Sequence, residues 1–229
     1  MGVTELKNLE LLYVTDERGA VAAGGNQYWY PKGDFVPGAA CGSATASNIV
    51  AYILRSRPCL YGAAKTAGLD GLALPLSETE EGGAGRDTND KAGYLEFMKK
   101  IYRLFTPGIL GLHTSGFLKG ARRLAAEYGI PLSAKRLKVP VKVLKRPAFL
   151  EAAEFIRAAL SEEGPAAFLV LSTAGVSNLY KWHWVSIIGL DEENERVRIL
   201  DNNVTSWVDL GSWLRKSFLG GAIIRLMQI

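Results

Sequence analysis

Hydrophobic and polar positions change period about two-thirds of the way along the 229-residue chain. Before that point the apolar positions repeat mainly with helical spacing, and after it they come as short segments divided by turns. Leu9 to Thr15 reads as a strand, Asp16 to Gly19 as a turn and Ala20 to Ala23 as a return strand. Gly24-Gly25-Asn26-Gln27 breaks that pattern, and Tyr28-Trp29-Tyr30-Pro31 follows as an aromatic cluster, either a core plug or one wall of a cleft. A helix is predicted from Cys41 to about Arg55, with Ile49, Val50, Ile53 and Leu54 as its buried face and Pro58 as its stop. Ser77 to Asp90, acidic and then glycine-rich, reads as a mobile surface loop. Its glycines follow no strand, which argues against a phosphate-binding loop.

Thr88-Asn89-Asp90 offers caps for a helix over Lys91 to Leu104, with Tyr94, Phe97, Met98 and Ile101 turned inward. Ser115 to Tyr128 is a further helix closed by Gly129, and Phe149 to Ser161 another, stopped by Gly164-Pro165. Strands are predicted at 166–171, 182–190, 196–200, 207–210 and 222–229. Sequential short strands with tight turns point to an antiparallel sheet. The fold class is therefore α+β. One domain over 1–229 is expected, with a mainly helical lobe (about 24–164) against a mainly sheet lobe (about 165–229).

Composition adds little: 48% of residues are apolar and 22% charged, an ordinary globular balance. Two cysteines, Cys41 and Cys59, exclude a disulfide framework, and opposite ends of one helix are a poor place for them to pair. No signal peptide and no run of membrane-spanning length is seen, so a soluble, cytoplasmic protein is expected. The net charge of +4 has a local source. Lys135, Arg136, Lys138, Lys142, Lys145 and Arg146 fall in a stretch from Ile130 to Leu150 that contains no acid. This stretch is either an edge strand guarded by lysines or a surface for an acidic partner. Nucleic acid is not indicated, because no aromatic side chains interleave the 135–146 basic run.

Candidate chemistry centres on Cys41. It stands where a turn-rich loop enters a helix, so the positive end of the helix dipole and unpaired N–H groups favour its thiolate. The plain alternative is a small buried hydrophobe. His183 opens an otherwise apolar strand between Trp182 and Trp184, and a titratable ring there needs a partner or a cavity. His113, just before a helix, reads as a loop or capping residue. If 182–190 and 195–201 pair as a hairpin, His183 falls opposite Asp201 or one residue away. Asp201 would fix the imidazole's tautomer, with Asn202 as the alternative orienting residue. The plain reading of Asp201-Asn202-Asn203 is turn chemistry. For an oxyanion, the backbone N–H of Cys41 and the side chain of Gln27 are the candidate donors.

Three patches together resemble the papain-like cysteine peptidases: Cys41-Gly42-Ser43-Ala44-Thr45, His183-Trp184-Val185-Ser186-Ile187-Ile188-Gly189, and the strand end at Asp201. His183 follows Cys41 by 142 residues, within the roughly 130–150 given for papain and the cathepsins. The likeness is closer to bacterial double-glycine, bacteriocin-processing peptidases, which place the nucleophile directly before glycine. Aligned on papain's own C-G-S-C-W, Ala44 would stand at the nucleophile position. The family's oxyanion glutamine lies about six residues before the nucleophile, where this chain has Phe35. Gln27 lies fourteen before it, and using it requires Tyr28–Ala40 to loop out.

The resemblance implies a papain-like fold whose Cys helix packs on the sheet lobe. It also implies a thiol-dependent peptidase or amide hydrolase that uses Cys41, His183 and Asp201 through an acyl-enzyme, without metal or cofactor. Acyl or peptidyl transfer from the same site, and a catalytically degenerate peptide-binding protein, are the alternatives.

Overall fold

A computed structural model of the chain describes residues 2–33, 35–73 and 88–228. Most of the glycine-rich Ser77–Asp90 segment lies outside the described residues. The N-terminal part contains strands β1 (Val3–Glu5), β2 (Tyr13–Thr15) and β3 (Val21–Ala23). Helices α1 (Cys41–Arg55) and α2 (Pro58–Thr66) follow, then β4 (Asn89–Asp90), α3 (Lys91–Phe105), α4 (Thr114–Tyr128), β5 (Leu132–Val139) and α5 (Phe149–Ala158). The last third holds β6 (Ala166–Val170), β7 (His183–Asp191), β8 (Arg196–Asp201), β9 (Val204–Asp209), the short helix α6 (Leu210–Lys216) and β10 (Gly221–Gln228). The architecture is α+β.

The main sheet is antiparallel, in the order β5-β10-β6-β7-β8-β9, with β1 added beside the far end of β7. Its centre, β7, is buried from Trp184 to Asp191. Of the basic stretch, Lys135, Arg136 and Lys138 lie on the edge strand β5, which among the described residues pairs with β10 alone, and Lys142, Lys145 and Arg146 lie in the loop after it. Helix α1 packs on β6 and β7, and α3 and α4 lie beyond it. All fifteen residues of α1 are buried, so burial extends right round the helix and takes in the polar side chains of Ser43, Thr45, Ser47, Asn48 and Arg55. Small residues at Ala44 and Ala51 permit that enclosure on the side away from Ile49, Val50, Ile53 and Leu54.

Four local expectations change. Leu9–Leu12 closes as a 3-10 turn, leaving only Tyr13–Thr15 as strand, because Asn8 enters with a left-handed φ of 54°. Pro58 does more than end α1: it occupies the first turn of α2, where its missing N–H is no loss. The segment 159–163 leaves α5 as a wider π-type turn. The strand expected at 207–210 runs from Val204, and Leu210 instead begins α6, whose start is capped by Asp209 accepting from Ser212 N–H at 2.7 Å.

Candidate active site

Cys41 is the first residue of α1. The chain reaches it through a 3-10 turn at Pro37–Ala39, and Ala40 supplies no side-chain cap. The first N–H groups of the helix therefore have no competing side-chain acceptor. Gly42, the next residue, is a packing requirement. A Cβ there would lie 2.7 Å from Leu112 Cβ and 3.0 Å from Trp184 Cδ1. Trp184 Nε1–H also donates to Leu112 O at 2.7 Å, fixing that loop against the helix start. Gly42→Ala should cost about 1–3 kcal/mol by overpacking, read as a lower midpoint in urea unfolding.

His183 begins β7 and Asp201 ends β8. Continuing the Ser186↔Leu200 pairing would place His183 opposite Asn203, not Asp201. The two are instead diagonal neighbours on one face, a separation that longer side chains span. The shift of register between Ile187 and Gly189 narrows this offset from three residues to two, since continuing the Asp191↔Arg196 pairing would place His183 opposite Val204. His183 Nε2 and Asp201 Oδ1 are 2.8 Å apart. Because a carboxylate only accepts, Nε2 carries the shared proton and Nδ1 is the nitrogen left for Cys41, whose side chain hydrogen-bonds the same ring. Burial alone would lower the pKa of His183. Interactions with Asp201 and Cys41 outweigh it and raise the imidazole to about 9. Tyr180 stands edge-on to the ring at 5.9 Å.

Gln27 reaches the site by the looped-out path. Tyr30 stacks on Phe35 at 5.3 Å, and Tyr102 packs against both. Phe35 is thus part of an aromatic core plug, while Tyr28 remains exposed on the cleft wall. Gln27 is 5% exposed, and its Oε1 has no hydrogen-bond partner among the described residues. Together with Cys41, Asp201 and Asn202 it borders a small internal space of about 10 Å³. The preceding Gly24 has φ +65° and lies against Asn48, whose Oδ1 accepts from Gly25 N–H at 2.8 Å and from Tyr94 O–H at 3.0 Å.

The β8–β9 turn ties these parts together. Asn202 and Asn203 both adopt positive φ, 47° and 73°, giving a two-residue hairpin turn that asparagine tolerates. Asn202 Nδ2–H donates to Asp201 Oδ1 at 2.8 Å, the oxygen that also faces His183. Its own Oδ1 accepts from Gln27 N–H at 3.0 Å. Asn203 Nδ2–H donates to Ala23 O at 3.1 Å and also to Gly24 O. Asn202 therefore contacts Asp201 and the Gln27 loop and is not within reach of the imidazole by any bond of its own. Asn202→Gly keeps the turn conformation but removes both bonds. It should lower turnover about tenfold with little change in KM, measured by steady-state kinetics beside an unfolding curve.

Two cavities flank His183. One, about 530 Å³, is lined by Gln27, Tyr28, Asn178, Tyr180, Asn202 and Ser206. The other, about 300 Å³ and largely apolar, borders Cys41 and is walled by Leu110, Leu112, Leu169, Leu171, Trp182 and Trp184. Trp182 is 61% exposed and holds φ +58°, a conformation bulky side chains avoid. His113, the N-cap residue of α4, also lines this apolar space. The apolar walls, and the bonds that the asparagine turn makes to the Gln27 loop, escaped the sequence reading. The W-H-W pattern and the paired asparagines after Asp201 were the only signals for them. Cys59 is exposed, and both cysteines are free thiols. Among the described residues no three His, Cys, Asp or Glu side chains converge as metal ligands, and no helix is long and apolar enough to cross a membrane.

No family model matches the chain, and no curated protein does. Among solved structures it is similar to the peptidase domain of Streptococcus ComA, a bifunctional ABC transporter involved in quorum sensing. The two are 13% identical with a TM-score of 0.40, over 85% of this chain and 96% of that domain.

Proposed function

We propose that the chain is a single papain-like unit that hydrolyses a peptide or amide bond through Cys41, His183 and Asp201. The observation that carries this is the imidazole of His183 held between Asp201 at 2.8 Å and the side chain of Cys41 at a helix start. Cys41 Sγ attacks the carbonyl carbon, and the thiol proton rests on His183. The backbone N–H of Cys41 and Nε2 of Gln27 receive the oxyanion. As the tetrahedral adduct collapses, the C–N bond breaks, His183 gives its proton to the departing amine, and an acyl-Cys41 thioester is left. Water then adds with His183 taking its proton, the C–S bond breaks, and the acid and the thiol are released. Asp201 holds the ring and its charge throughout. The substrate carries a bulky apolar side chain on the side of the Trp182–Trp184 cavity, and a more polar segment towards Asn178 and Ser206. A tryptophan held at positive φ on that wall is strain consistent with such a role.

The test is competitive alkylation with iodoacetamide, read by mass spectrometry of the two cysteine peptides. Cys41 is 6% exposed and Cys59 is open to solvent, so accessibility alone favours Cys59. The proposal expects Cys41 to react at least about tenfold faster near neutral pH. A faster or equal rate at Cys59 would remove the activated nucleophile.

A further inference from the structure

Away from the cleft, the basic stretch continues past β5 into a loop with an unusual surface. Val141, Val143 and Leu144 are all exposed there, Leu144 completely at 101%, and they alternate with Lys142 and Lys145. Exposed apolar side chains are ordinary one at a time but not as a group. Phe218, 78% exposed, follows Ser217, whose backbone is tied to the same loop. The link is Arg146. Its Nε donates to Pro140 O at 2.8 Å and its Nη1 to Leu214 O at 2.8 Å. Its Nη2 donates to Val141 O at 2.9 Å and also to Ser217 O, the residue before Phe218. One guanidinium thus holds the 140–146 loop to the end of α6 and fixes the apolar tips in place.

Charge distinguishes the candidate occupants. No carboxylate occurs from Ile130 to Leu150, nor from Leu210 to the end of the sequence, while Lys142, Lys145 and Lys216 are exposed. Arg146 is committed to backbone carbonyls, so the free positive charge is lysine. Lysine is depleted in protein–protein interfaces. Protruding Leu and Phe among lysines suit the boundary of an anionic bilayer, where apolar tips enter the acyl region and ammonium groups meet lipid phosphates. We propose that the Val141–Lys145 loop and Phe218 form a docking surface for an anionic lipid membrane, peripheral and without a span. An acidic protein is the competing occupant.

Sedimentation with phosphatidylcholine vesicles, with and without phosphatidylserine, tests it on the full chain at low salt. The expected result is binding only to the phosphatidylserine vesicles. K142Q/K145Q should weaken partitioning about thirtyfold, and L144S/F218S about tenfold or more. Equal binding to both vesicle types, or to neither, would overturn the proposal. So would variants that partition like the parent. Soluble polyglutamate separates charge from insertion. If it binds the chain and displaces it from vesicles, and L144S/F218S has no effect, the surface is for an acidic protein instead.

Discussion

His183→Ala should lower kcat/KM by about a thousandfold or more, equivalent to about 4 kcal/mol of transition-state stabilisation. On the proposed mechanism the loss should fall mainly on kcat, because the imidazole acts in proton transfer and is only one of nine residues lining the larger cavity. Fluorogenic peptide amides with aromatic or aliphatic residues beside the cleaved bond provide the assay. Iodoacetamide labelling of Cys41 should slow in the same variant, since the ring that hydrogen-bonds its side chain is gone. The alanine leaves space at the mouth of a strand, not in the core, so β7 keeps its ladder with β6 and β8. A variant that retained turnover within a few-fold would show that the base lies elsewhere. His113 is then the residue to examine, since it borders the same apolar space as Cys41.

How far the sequence could be read depended on whether a feature is local. The helix beginning at Cys41 was legible because its apolar spacing and the loop before it are contiguous. Its complete burial was not, because the sheet, α3 and the Tyr94 ring that enclose it come from distant parts of the chain. Strands 7 and 8 were legible as a hairpin from the turn at 191–195. The diagonal offset between His183 and Asp201 was not, because it depends on a register shift that no residue announces. Pro58 was read as a stop because proline ends helices; it also begins them, and only the turn at Ser56-Arg57 decides which.

Gln27 shows the limit most clearly. Fourteen residues separate it from Cys41, and sequence distance gives no reason for the two to meet. They border one small space because an aromatic plug of Tyr30, Phe35 and Tyr102 takes up the intervening loop, and because Asn202 accepts from the glutamine's backbone N–H while Asn203 holds the chain before it at Ala23 and Gly24. Phe35 stands at the family's glutamine spacing, yet it has a structural use, as the stacked centre of that plug. Asp201-Asn202-Asn203 was read as competing alternatives, orienting group or turn. The structure shows a hairpin turn whose side chains also carry hydrogen bonds, with Asp201 bonded to His183 and Asn202 bonded to Asp201 and Gln27.

Asp201→Asn should separate the positional part of the carboxylate from its charge. An amide oxygen can still accept from His183 Nε2–H, so the ring keeps its tautomer and direction. What disappears is the negative charge that, with Cys41, overcomes burial and raises the imidazole from 6.5 to about 9. On the proposed mechanism protonated His183 supplies the leaving-group proton, so kcat/KM of the parent protein should fall on the alkaline side near pH 9. In Asp201→Asn burial acts with less opposition, and that limb should move to lower pH by at least about one unit. The loss of activity is then small near pH 6 and large near pH 8.5. Stability has the same sign. A raised folded-state pKa contributes stability that is fully present below the unfolded value of 6.5 and is lost as pH climbs through about 9. Urea midpoints of the parent should therefore decline between pH 6.5 and 9, with a shallower decline in the variant. If the alkaline limb stays in place, His183 is not the group whose proton limits the reaction.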